Sequence, residues 1–253
     1  MIISLITIIA DAIMLYYLFG INAVVIYLVL FPIISFAIDL TRFCILHPRN
    51  EKRIMLSEFM NLKSVLNILT NKGINMNRYR VYVTLQDIDD IQYLGLWTII
   101  IPRKMLDTYT LGTLSSLICQ AVGHVKKCHS FSRNLLCINL VILTLAISSV
   151  WCILVVTIII IAGNIAKKKR SKALVLIVSL FSGIFCYFNI RKLIHFVPAY
   201  FKNAYKILTH MLNCDADTFV AASGLGKYYI EYLRNNEFSD VIYDRIQKLE
   251  RLI

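Results

Sequence analysis

Residues 2–38, IISLITIIADAIMLYYLFGINAVVIYLVLFPIISFAI, carry one charged side chain, Asp11. As helix this run extends ~55 Å, nearly the thickness of two bilayer cores. A turn near Gly20, Ile21 and Asn22 divides it into a predicted hairpin of two membrane helices. No small-residue cleavage site follows, so the run reads as retained rather than as a removable signal. Leu135–Ala166 is again free of charge, KKKRSK follows at 167–172, and Ala173–Ile190 is a further apolar run. The pattern predicts four crossings in two hairpins.

Between the hairpins the pattern changes to that of a small folded unit. Glu58–Asn71 has apolar residues at helical spacing and stops at Lys72 and Gly73. Arg80–Leu85 and Leu96–Ile101 read as strands, the second closed by Pro102, and Leu111–His129 reads as helix. This stretch is too short to close a core and needs partners elsewhere in the chain. The segment after the second hairpin is predicted mostly helical, broken at Pro198 and stopped at Gly224–Gly226. Ser239 is placed to cap a last helix that carries Val241, Ile242, Ile246, Leu249 and Ile253 on one face. The resulting boundaries are a membrane hairpin at 1–41, a first domain part at 42–134, a second hairpin at 135–190 and a second domain part at 191–253.

Composition agrees with a membrane protein: 58% of the 253 residues are hydrophobic and the formal net charge is +12. Basic residues outnumber acidic ones 13 to 6 between Arg42 and Arg133. Next to membrane helices such an excess sets topology or meets lipid headgroups, and it is not read as a nucleic-acid surface. The seven Cys are scattered without a CxxC pair, which excludes a disulfide framework.

Candidate chemistry lies in residues 118–129, ICQAVGHVKKCH. A zinc-peptidase helix reads H-E-x-x-H, with two His one turn apart on the ion and the Glu as general base. Here the second His is His124, while Gln120 and Ala121 stand at the first His and the Glu. The order of parts resembles the HtpX-type membrane zinc metallopeptidases, relatives of the CAAX prenyl endopeptidases. Those have a membrane hairpin, a helix, two strands and the metal helix, a second hairpin, and then a helix bearing E-x-x-A-D. TIIIPRKMLDTYTLGTLSSLICQAVGHVKKCH is similar to the family's approach to the metal motif, and Gly123-His124-Val125-Lys126 stands at its G-H-I-K. THMLNCDADTFVAASG is similar to S-R-x-x-E-x-x-A-D-x-F-A, with Thr209 and His210 at the Ser-Arg positions and Ala216 and Asp217 retained. SDVIYDRIQKLERLI is similar to the closing helix, without the His-Pro that often precedes it.

The resemblance puts the departures on the chemistry: Gln120 at the first ligand, Ala121 at the catalytic Glu and Asn213 at the third ligand leave only His124. Neutral amide oxygens bind zinc poorly, and Ala121 removes the general base as well. Asp217 matches the carboxylate that steadies a ligand His, and the Gln120 amide can still donate to it. Gln120, His124, Asn213 and Asp217 are therefore expected to form a metal-free polar cluster. A remade site on His124, Cys128 and Cys214 is an open alternative for zinc, with His124 and Cys128 at i, i+4 spacing and Cys119 nearby. Asp11 implies either a functional group in the membrane or an acid at the interface of a shifted helix.

The resemblance implies a mainly α membrane protein with four transmembrane helices plus a small α+β zincin-like domain assembled from 42–134 and 191–253. It also implies a bacterial inner membrane with that domain facing the cytoplasm. One alternative remains in the topology. Positive-inside reasoning would put KKKRSK in the cytoplasm, so that 135–166 crosses twice at ~24 Å per pass. That arrangement would separate Asn213 and Asp217 from Gln120 and His124, and four crossings are expected instead. The expected function is that of an inactive metallopeptidase homologue binding protein partners in the membrane. The alternatives are an active zinc endopeptidase with changed ligands and a small membrane adaptor.

Overall fold

The computed structural model describes residues 2–46, 60–169, 172–236 and 239–253. Helix α1 (Ile2–Phe19) and helix α2 (Ile21–Leu46) divide at Gly20, whose φ of +81° suits a residue without Cβ. Helix α3 (Met60–Asn71) ends in a Schellman turn: Ile74 N–H donates to Leu69 O at 3.0 Å across Gly73, φ +80°. The two residues expected to open this helix, Glu58 and Phe59, lie outside the described part.

A three-stranded sheet follows, β1 (Arg80–Thr84), β2 (Gln92–Leu94) and β3 (Thr98–Pro102), in the order β1-β3-β2. Strand β1 runs parallel to β3 with Arg80 opposite Thr98, and β2 runs antiparallel with Gln92 opposite Ile100. Ile99, Ile100 and Ile101 in the central strand are fully buried. Helices α4 (Arg103–Thr108) and α5 (Leu111–Lys126) complete the first segment, and the Thr110 hydroxyl caps α5 through the Thr113 N–H. Helix α5 ends three residues before the expected His129. Cys128 takes a left-handed φ of +56°, the chain turns, and His129 opens the next helix.

Helices α6 (His129–Lys169) and α7 (Lys172–Ala222) are long and continuous. At 1.5 Å per residue α6 runs ~60 Å, and without a break in 135–166 it passes a bilayer at most once. The expected break at Pro198 does not occur, and α7 runs through it. A proline's fixed φ is itself helical; the ring gives up one hydrogen bond and crowds the carbonyl four residues back, a cost of ~3 kcal/mol that the rest of this long helix absorbs without stopping. Helix α7 returns to the start of α6, where Lys127 and His129 meet Asp215. Among the described residues two helices are long and apolar enough to cross a membrane, Ile21–Leu46 and the His129–Ile165 part of α6. Both expose aliphatic side chains, among them Val29, Ile33, Ile153 and Ile160.

Helix α8 (Gly226–Asn236), not expected from the pattern, and helix α9 (Asp240–Glu250) close the chain, the latter capped by Ser239. Ile242 and Leu249 of its apolar face are buried, while Ile253 is exposed. One core joins α3, the sheet, α4 and α5 to Val220 of α7, to Tyr229 and Leu233 of α8, and to α9. The segments before and after the long helices thus share one apolar interior. A second, smaller cluster of Tyr27, Phe31, Leu135 and Ile138 joins α2 to α6.

Candidate functional site

Helix α5 lies against the end of α7 through Gly123, where a Cβ would stand 3.2 Å from both Ala216 O and Phe219 Cβ. Missing that atom, the helices approach closely, and the turns of α5 on either side of Gly123 meet α7. One turn before it, Gln120 Nε2 donates to Asp217 Oδ1 at 3.4 Å, a long bond. One turn after it, Lys127 Nζ donates to Asp215 Oδ1 at 2.5 Å.

The strongest contact at Asp217 comes from α9. Arg245 Nε donates to Asp217 Oδ2 at 2.8 Å and its Nη2 to Oδ1 at 2.9 Å, a bidentate pair with both side chains nearly fully buried. Nη2 also donates to the Tyr229 hydroxyl at 2.6 Å. Burial raises the Asp217 carboxyl above its usual range and Arg245 pulls it back. Burial also works against the guanidinium, but Asp217 and Tyr229 more than offset it and hold Arg245 charged.

His124 faces a different group. Its Nδ1 is 2.7 Å from His129 Nδ1, and His129 Nε2 is 3.1 Å from Asp215 Oδ2. With His129 Nε2–H donating to that carboxylate, His129 Nδ1 accepts and His124 Nδ1–H donates. The His124 ring stacks on Tyr93 at 4.2 Å, and the Arg133 guanidinium lies 4.3 Å from the centroid of the same Tyr93 ring. Burial first, then the nearby His129, Arg133, Arg245 and Lys127, push His124 down to about 2, so it stays neutral. Burial acts to raise Asp215, but hydrogen bonds from Lys127 and His129 outweigh it and leave its carboxyl below the usual range.

Gln120, Ala121, His124 and Asn213 all line one cavity of about 450 Å³, together with Tyr229 and Arg245. They do not form a single hydrogen-bonded cluster. Among the described residues no hydrogen bond joins Asn213 to Gln120, His124 or Asp217, and His124 bonds to His129. Of the donors at the three ligand positions only the neutral His124 ring suits zinc. Gln120 and Asn213 offer only neutral amides, and the Arg245 guanidinium on the same wall has no lone pair to give, so these residues do not fit a catalytic zinc ion.

The alternative set of His124, Cys128 and Cys214 does not converge. Cys214 instead lies with His210 and Asp244, the three-residue group of potential ligands found among the described residues. Physically, Cys128 is taken up in the left-handed turn between α5 and α6, and His124 is held by His129. Asp11 is buried between helices: Tyr27 Oη donates to its Oδ2 at 2.8 Å, and the Asn139 amide, oriented by its hydrogen bonding, donates to the same carboxylate. The acid thereby ties α1 to α2 and α6.

Arg245, Tyr229, Tyr93, His129 and Asp215 escaped the sequence reading. Arg245 alone left a signal: three residues after Ile242 and four before Leu249, it lies on the buried face of its helix. Compared with protein-family models, curated proteins and solved structures, the chain has no match.

Proposed function

We propose that this chain is a catalytically inactive, HtpX-like membrane metallopeptidase homologue that serves as scaffold, regulator or subunit of a membrane complex by binding another protein. In this reading it is a multi-pass protein with four membrane helices, and its zincin-like domain faces the cytoplasm of a bacterial inner membrane. One observation carries the proposal. Gln120, Ala121, His124 and Asn213, the four positions that resemble a zinc centre, line one cavity although His124 and Asn213 stand 89 positions apart in the chain. Arg245 on the cavity wall pairs with the buried Asp217 and so joins α9 to α7, and Gln120 ties α5 to the same carboxylate.

The loss of chemistry is compound. A missing general base costs ~10²–10⁴-fold in rate, and without a suitable ligand set there is no metal to activate water. What the site retains is a cleft walled by apolar and aromatic side chains, the amides of Gln120 and Asn213, and the charged Asp89, Asp90, Lys104 and Arg245, suited to holding a peptide segment without cutting it.

The test uses one denatured protein substrate in two assays on the purified full chain in detergent. The proposal expects no chelator-sensitive cleavage, together with measurable binding that weakens when Thr108→Trp obstructs the exposed rim of the cavity. Cleavage abolished by chelator, or binding indifferent to Thr108→Trp, would overturn it.

A further inference from the structure

His210 and Cys214 are one turn apart on α7 and face Asp244 on α9. Cys214 Sγ is 3.7 Å from His210 Nε2, and Asp244 Oδ2 is 3.2 Å from the same nitrogen. The three ligand atoms all lie within 4.8 Å of one another. In a tetrahedral zinc complex, bond lengths of ~2.0–2.1 Å to N, ~2.3 Å to S and ~2.0–2.2 Å to O require N···S of about 3.6 Å and N···O of about 3.4 Å. The N···S and N···O pairs already stand near those separations, and the sulfur and the carboxylate oxygen lie within 4.8 Å of each other where such a complex brings them to about 3.6 Å.

A cation is drawn to the same spot. Lys248 Nζ is 2.7 Å from Asp244 Oδ2 and 3.9 Å from Cys214 Sγ. The side chains of His210 and Asp244 are 27% and 46% exposed, so a solvated ion reaches the site without opening the core.

We propose that His210, Cys214 and Asp244 form a binding site for a divalent transition-metal ion of zinc's type, bridging α7 and α9. A thiol, an imidazole and a carboxylate suit zinc or cobalt and discriminate against the harder magnesium and calcium. On binding, the sulfur–metal bond replaces the thiol S–H bond, the proton leaves to solvent, and the Lys248 ammonium swings away. The site stands outside the cavity and does not depend on the proposed loss of peptidase activity. Its effect reaches the cavity all the same, because α9, clamped by the ion, also carries Arg245 to Asp217.

Cobalt titration of the reduced full chain in detergent is the test. One equivalent should bind with a thiolate-to-cobalt absorption band, and Cys214→Ser should abolish that band. His210→Ala and Asp244→Asn should weaken binding by at least the ~10-fold that loss of even an outer partner costs, whereas Lys248→Met, which removes the competing cation, should tighten it. Zinc should also raise the unfolding temperature of the wild-type chain and not that of Cys214→Ser, whose metal-free melt controls for folding. A band unchanged in Cys214→Ser, or no band in either wild type or Lys248→Met at millimolar cobalt, overturns the proposal.

Discussion

Removing Asp217 leaves the Arg245 guanidinium inside the protein with the Tyr229 hydroxyl as its remaining hydrogen-bond partner. The side chains of Arg245 and Asp217 are 8% and 4% exposed, so neither charge is relieved by water. Breaking one partner of such a pair costs ~3–5 kcal/mol, and for a chain of this size that lowers the unfolding temperature by about 6–20 °C. The two single variants are not equivalent. Arginine cannot shed its proton, whereas a carboxyl already raised by burial can take one up. Asp217→Ala should therefore cost more than Arg245→Met, and Arg245→Met alone should recover stability as pH falls from 8 towards 5. The double variant Asp217→Leu/Arg245→Met exchanges the pair for apolar packing and should fall within ~1–2 kcal/mol of the native chain. Thermal unfolding of the four proteins in one detergent, at pH 8 and pH 5, provides the cycle. Single variants within ~0.5 kcal/mol of wild type, or a double variant equal to the sum of the singles, would refute the reasoning.

Other perturbations test neighbouring parts of the account. Gly123→Val should destabilise by ~1–3 kcal/mol, because its side chain drives into the Ala216 backbone, and denaturant unfolding measures the loss. His124 stays unprotonated when folded but takes a proton near pH 6.5 when unfolded, so its contribution is complete above that pH and is lost as pH falls. The slope approaches ~1.4 kcal/mol per pH unit, or about 2 kcal/mol between pH 8 and pH 5, and a His124→Phe chain should show a correspondingly flatter profile. Lys127→Ala removes a half-exposed ion pair and should change stability by less than ~1 kcal/mol in the same denaturant assay. Gln120→His with Ala121→Glu should still give no peptidase in a cleavage assay, since Asn213 supplies no carboxylate and Arg245 still faces the site. Cysteine labelling should find Lys104→Cys and Lys227→Cys on one side of the membrane and Ser171→Cys on the other; all three on one side would defeat the four-crossing proposal.

Hydropathy made the long helices legible, and the left-handed glycines at 20 and 73 marked their turns in advance. The parts that escaped notice depend on contacts between distant segments. Strand β2 has three residues and no alternation of its own, and it exists because β3 offers it an edge. Helix α5 stops early because a cysteine adopts a backbone conformation more usual for glycine, which sequence pattern does not announce. That turn is what brings His129 back to His124. The Gln120 to Asp217 hydrogen bond could be anticipated from one amide and one carboxylate in corresponding positions. The dominance of Arg245 could not, since an arginine's place on a buried face says that it needs a counterion without saying which.

The cavity around Gln120, His124 and Asn213 carries on its wall an arginine paired with Asp217, at the positions that resemble a zinc centre. The most direct measurement is the zinc content of the full chain purified in detergent as the Cys214→Ser variant, which removes the proposed α7–α9 site, paired with a cleavage assay on the same sample. Zinc far below one ion per chain and no chelator-sensitive cleavage are expected. One zinc ion per chain, lost together with cleavage on chelation and absent from a further His124→Ala variant, would contradict it.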